Sequence, residues 1–101
     1  MSMYNPPHPG KFLKEIYMEP YGLSVRKVAR NLNVAPSTIT RLLHGDSSVT
    51  PEMALRLSEV FGRTPESWLV MQDNYSLWHA KKKLDLHALK KLYFPSSNPN
   101  L

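Results

Sequence analysis

The chain contains no cysteine, which excludes disulfides, thiolate nucleophiles and cysteine-bearing zinc sites. No apolar run approaches the roughly 18 residues that a bilayer-crossing helix needs, so a membrane partner is not expected. The four histidines, His8, His44, His79 and His87, show no ligand spacing of the HxxxH kind. No GxSxG turn, Walker loop or zinc-ligand set is present either. Neither a metal nor another cofactor is expected, and no catalytic role. The opening stretch from Met1 to Pro7 has no cationic start and no apolar segment, which argues against a secretory leader and for a cytoplasmic protein.

The most informative absence is local. From Leu23 to Gly45 there is no Asp or Glu, while Arg26, Lys27, Arg30 and Arg41 fall in the same window. The whole chain carries a net charge of +5 over 101 residues, a balance that suits an anionic partner without requiring one. Hydrophobic residues make up 42%, enough for a single core in a single domain.

What is present in that window reads as two short amphipathic helices. Val25, Val28, Ala29 and Leu32 recur at i, i+3, i+4 and i+7, leaving Arg26, Lys27 and Arg30 on the opposite side. In the second helix Ile39, Leu42 and Leu43 face inward, and Ser37, Thr40, Arg41 and His44 face away. Ser24 is placed to cap the first helix. Asn33 tolerates the left-handed backbone that a tight turn requires. Pro36 fits a first helical turn, where its missing N–H is no loss, and Gly45 provides the left-handed stop. A buried seam behind an outer surface of hydroxyls and cations makes a helix-turn-helix suited to duplex DNA. Lys27 stands where a capping box would place Glu, beside the positive end of the helix dipole. A phosphate nearby would remove that conflict, as would simple solvation.

Along the rest of the chain the spacing predicts an all-α fold of five helices and no strand. The first helix starts near Pro9-Gly10 with Phe12, Leu13, Ile16 and Tyr17 on one face. Thr50-Pro51-Glu52 opens the fourth, which buries Met53, Ala54, Leu57, Val60 and Phe61. Thr64-Pro65-Glu66 opens the fifth with Trp68, Leu69, Met71, Tyr75 and Trp78. Residues 1–8 read as an extended arm, 9–80 as the domain and 81–101 as a C-terminal extension. Within that extension Leu86, Leu89 and Leu92 can form a short helix over Asp85 to Phe94, ahead of a tail from Pro95 to Leu101.

Leu23 to Gly45 followed by Thr50 to Gly62 resembles the lambda-repressor-like, or XRE-type, helix-turn-helix family. The flanks narrow the resemblance. His8-Pro9-Gly10-Lys11-Phe12-Leu13 and the segment Pro65-Glu66-Ser67-Trp68 through Trp78 are similar to the HigA-type antitoxin subfamily, so that roughly residues 8 to 80 are covered. The resemblance implies five helices, a homodimer, binding to double-stranded operator DNA and repression of its own operon. It also implies neutralisation of a HigB-type toxin, one of the RelE-like ribosome-dependent mRNA endonucleases. Two departures from the family pattern stand out: Asn33 replaces the usual turn glycine, and Arg26 and Lys27 occupy positions where Glu or Gln is common.

Carried over residue by residue, the base-reading positions fall on Pro36, Ser37, Thr38 and Arg41. Pro36 can offer only apolar contact, Ser37 and Thr38 can bond base edges or phosphates, and the fork of Arg41 matches guanine O6 and N7. Ser24, Arg26, Lys27 and Arg30 are expected at DNA phosphates, because the first motif helix crosses the backbone; for Ser24 a purely structural cap is an equal alternative. Trp68, Tyr75 and Trp78 lie at i, i+7 and i+10, a single stripe expected to combine core packing with a two-fold dimer contact. Toxin contacts are open among the Tyr4 to Pro9 arm, the first helix and residues 84–94. Two rival readings remain: a free-standing repressor without a toxin, and a protein-interaction module whose helix-turn-helix is vestigial.

Overall fold

The computed structural model describes residues 5–95; Tyr4 of the arm and residues 96–101 of the tail lie outside them. Among the described residues the chain forms five helices and no strand. Helix α1 begins as an α-helix at Pro9–Phe12 and continues with π winding over Leu13–Met18. It is followed by α2 (Val25–Leu32), α3 (Pro36–Leu43), α4 (Pro51–Phe61) and α5 (Pro65–Lys83). A single 3₁₀ turn at Leu86–Ala88 comes last.

The local signals act where the residues place them. The hydroxyl oxygens of Ser24, Thr50 and Thr64 accept the backbone N–H three residues on, at 3.1, 3.2 and 3.1 Å. Asn33 takes the left-handed conformation, φ 59 and ψ 48. Its N–H donates to the Arg30 carbonyl and the Val34 N–H to the Ala29 carbonyl, the paired closure of a Schellman motif. Gly45, at φ +77, ends α3 in the same way, with Gly45 N–H on Leu42 and Asp46 N–H on Arg41.

One core gathers Leu13 and Met18 of α1, Val28, Ala29 and Leu32 of α2, Ile39 and Leu42 of α3, Ala54 and Leu57 of α4, and Trp68 of α5. Truncating a side chain as fully enclosed as Ile39 costs about 2–5 kcal/mol. The π winding corrects the expected inner face of α1. Ile16 is 48% exposed and Met18 only 4%. With i→i+5 hydrogen bonds, such as Glu19 N–H to the Lys14 carbonyl at 2.8 Å, the residue five after Leu13 returns to its face.

Two close contacts lock α1 and α5 to the motif. Gly10 passes so near α3 that a Cβ there would lie 1.9 Å from the Leu42 carbonyl oxygen. The buried Gln72 of α5 accepts from the Val49 N–H at 2.8 Å and donates to Ser76 Oγ at 3.0 Å, which fixes the loop after α3. The short helix expected over Asp85 to Phe94 is reduced to the one 3₁₀ turn. Every residue from Lys81 to Pro95 is exposed, so no packing compensates the entropy of ordering a longer helix.

Candidate nucleic-acid interface

Burial of Val28, Ala29 and Leu32 against Ile39 and Leu42 decides what α2 and α3 show to solvent. Arg26, Lys27 and Arg30 of α2 are exposed, as are Pro36, Ser37, Thr40, Arg41 and His44 on α3 and its end, while Thr38 is half-buried. The eight residues expected to contact DNA therefore lie on the two helices of one motif or, for Ser24, at its entry. Among the described residues no carboxylate lies within ion-pair distance of Arg26, Lys27, Arg30 or Arg41. Their charge is unneutralised by the protein, which is the condition for counterion release on a polyanion.

The two motif helices begin differently. Ser24 caps α2 through its oxygen, which leaves its own O–H free to donate outward; the structural and the phosphate-binding readings of this residue are compatible. Helix α3 has Ala35 at its cap position and no side-chain acceptor there. Pro36 has no N–H and the Thr38 N–H donates to the Ala35 carbonyl at 3.0 Å, so the Ser37 N–H stands at the positive end of α3 with no side-chain cap over it. Thr40 donates its hydroxyl proton to the Pro36 carbonyl at 3.2 Å, so toward a ligand it can serve only as an acceptor.

Three residues outside the expected contact set pack against this motif or line a groove beside it. Arg56 of α4 reaches across to the end of α2: Nη1 donates to the carbonyls of Leu32 at 2.8 Å and Asn33 at 3.2 Å. Its Nη2 pairs with Glu52 at 2.8 Å. It thus satisfies carbonyls that the helix end leaves open and holds the motif turn. Only the i, i+4 spacing of Glu52 and Arg56 hinted at order here. Lys14 of α1 shares a groove of about 440 Å³ with Ser24, Thr40 and His44, an adjacency set by tertiary packing alone. His8 is the third. Its Nδ1 accepts from the Gly10 N–H at 2.9 Å, and its ring meets Tyr75 edge-on at 4.8 Å. Burial pushes its pKa below the ordinary 6.5, with a hydrogen bond to the Ser47 backbone only partly opposing.

The aromatic stripe divides. Trp68 has 0% exposure; its Nε1 donates to the Gly62 carbonyl at 3.3 Å, and its ring lies 5.8 Å from that of Phe12. This corrects its expected place in a dimer contact: α5 begins over the floor formed by α1 and α4, so Trp68 is wholly core. Tyr75 is half-buried between His8 and His79. Trp78 is half-buried under the Lys82 ammonium at 5.1 Å, and its Nε1–H is enclosed with no partner among the described residues. Among the described residues there is no cluster of three or more metal-ligating side chains, and no helix is long and apolar enough to cross a membrane.

Comparison with known proteins converges on the same motif. The helix-turn-helix family profile matches residues 13–69. The HTH-type transcriptional regulator YddM of Escherichia coli K12 is 42% identical over 92 residues, covering 91% of this chain and 97% of its own length. An addiction module antidote protein of the HigA family from Coxiella burnetii superimposes with a TM-score of 0.75 at 39% identity, over 79% of this chain and 87% of that one. The antitoxin GraA in complex with its operator gives a TM-score of 0.77 at 31% identity, over 93% and 98% of the two chains.

Proposed function

Because this chain belongs to the helix-turn-helix family and to its HigA-type branch, we propose that it is the antitoxin of a toxin–antitoxin pair. In this reading it binds its own operator as a homodimer, represses the operon, and neutralises a HigB-type, RelE-like mRNA endonuclease. The observation that carries the DNA-binding part is the outward face of α3, exposed, uncapped and cationic beside an equally cationic α2.

The mechanism follows from that face. Two copies of α3 enter successive major grooves about 34 Å apart on a pseudo-palindromic site. Arg41 forks onto guanine O6 and N7, Ser37 and Thr38 bond base edges or flanking phosphates, and Pro36 offers apolar contact to a thymine methyl. Ser24, Arg26, Lys27 and Arg30 hold the phosphate backbone and set the register of α3, contributing affinity but no base preference. Occupancy of the site blocks the promoter. The dimer contact is assigned to the C-terminal half of α5, with Tyr75 and Trp78 as its aromatic members. The toxin-binding role is supported by kinship with proteins named as antitoxins and antidotes.

The test is a titration of purified protein on the DNA ahead of its own gene at several salt concentrations, with a pull-down of the product of the adjacent gene. Salt-sensitive, sequence-dependent binding together with capture of a small basic endonuclease is the expected result. Absence of any operator affinity overturns the regulator reading. Operator binding with no toxin next door would favour a free-standing repressor, the alternative that the likeness to a protein named as a transcriptional regulator supports.

A further inference from the structure

Helix α5 carries large apolar residues on two sides. Trp68 and Gln72 lie buried along one of them. On the opposite side Glu66, Val70, Asp73 and Leu77 recur at spacings of four, three and four residues, a single stripe along the helix. All four are exposed, with Val70 at 54% and Leu77 at 58%. A single exposed apolar residue on a helix, such as Leu55 of α4, is ordinary; on α5 Val70 and Leu77 share one line with two carboxylates, an arrangement that suits an apolar and cationic partner.

The chain beyond α5 presents the matching set. Leu86, Leu89, Leu92, Tyr93 and Phe94 are 54–84% exposed, and Lys90 and Lys91 stand among them. Leu84 and Asp85 leave the helix in extended conformation, φ/ψ −94/128 and −85/95. Every residue from Lys81 to Pro95 is exposed, so the segment is not buried against its own chain. The two surfaces are complementary. The stripe offers Val70 and Leu77 between the carboxylates Glu66 and Asp73, and the segment offers leucines beside the ammonium groups of Lys90 and Lys91.

We propose that Leu84–Phe94 of one protomer docks on the Glu66–Leu77 stripe of a second copy, leucines over Val70 and Leu77, lysines against Glu66 and Asp73. The inference rests on the homodimer reading above and supplies its arm exchange. Under two-fold symmetry each copy gives its arm and receives the other, so both exposed apolar surfaces are covered at once. An extended stretch that orders only against the partner also explains why a leucine-rich sequence shows one 3₁₀ turn in the single chain.

The absence of cysteine makes the test clean. Val70→Cys and Leu89→Cys chains, refolded together and treated with a short bismaleimide, are expected to give a product of twice the chain mass that neither chain gives alone. The Val70→Cys/Leu89→Cys chain should likewise link between copies. Linking within one copy, at single-chain mass, overturns the proposal, as does linking that appears only when a co-purified toxin is present. Lys90→Glu/Lys91→Glu is expected to raise the dimer dissociation constant about tenfold in sedimentation equilibrium, with recovery in Glu66→Lys/Asp73→Lys chains carrying the reversed arm. An unmodified chain that is dimeric, with neither crosslink nor charge effect, overturns the arm exchange and leaves the homodimer standing. An unmodified chain that stays monomeric at every concentration overturns both.

Discussion

The Nη1 nitrogen of Arg56 donates to the carbonyl oxygen of Leu32 at 2.8 Å, and through this bond α4 grips the last turn of α2. The same nitrogen reaches the Asn33 carbonyl at 3.2 Å, so the left-handed residue at the motif turn is held from outside as well as by its own backbone closure. The turn between the two motif helices is thus held in part by a side chain outside the motif. Glu52 keeps the guanidinium aimed, at 2.8 Å from Nη2.

Replacing that side chain is the first prediction. Arg56→Ala leaves the Leu32 and Asn33 carbonyls without their donor and is expected to lower stability by about 1–3 kcal/mol, read from urea unfolding. Operator affinity should fall with it, since the turn leading into α3 loses its hold from α4. Arg56→Lys should recover only part of the stability, because a point charge lacks the planar fork that meets two carbonyls and a carboxylate together.

Arg41 and Lys27 should separate base reading from phosphate holding. Arg41→Ala is expected to cost about 1–3 kcal/mol on the operator and to relax preference at one base position, whereas Lys27→Ala should weaken specific and random DNA alike and flatten the salt slope by about one unit. Competition binding over a salt series measures both. Equal loss on specific and random DNA for Arg41→Ala would move Arg41 to the phosphate set.

Gly10→Ala is expected to be costly although alanine favours helices. Its Cβ would fall 1.9 Å from the Leu42 carbonyl oxygen, a backbone atom that cannot rotate aside. Helix α1 or α3 must shift, at an expected cost of about 1–3 kcal/mol. A thermal melt of the variant against the parent checks this, and a melt unchanged within error would mean that α1 slides freely over α3.

His8 sets a direction for pH. Its folded pKa lies below the ordinary 6.5 because burial disfavours the imidazolium. Above 6.5 both folded and unfolded chains hold the ring neutral and the full stability is present. As pH falls below 6.5 the unfolded chain takes up the proton first, so stability declines until the folded pKa is passed, by at most about 1.4 kcal/mol per pH unit for one proton. Protonation of Nδ1 would also remove the acceptor for the Gly10 N–H. The expected outcome is a downward slope of unfolding free energy between pH 6.5 and acid that is reduced in His8→Asn; the ring faces Tyr75, with His79 behind it, and neither supplies a carboxylate to reverse the sign.

Much of the architecture was legible because its signals are local. Ser24, Thr50 and Thr64 act within three residues of themselves, Asn33 and Gly45 within their own backbone, and the apolar spacing of α2, α3 and α4 needs only helical geometry. Legibility stopped where a contact spans the chain. Ile16 is expected inside when α periodicity is applied to α1; the π turn that places Met18 in the core instead is not marked by that spacing. Trp68 and Trp78 look alike as members of one stripe, and only the position of α1 and α4 beneath the start of α5 separates a core ring from a half-covered one.

Residue order alone dictated that this chain would form short capped helices and that one pair of them would present cations and hydroxyls with no carboxylate among them, because capping, turn chirality and amphipathic spacing operate over a few neighbouring residues. The tertiary structure decided the rest. It brought Arg56 to the end of α2, His8 to Tyr75, Gln72 to Val49 and Gly10 against α3, since each joins segments whose approach is settled only when the common core closes.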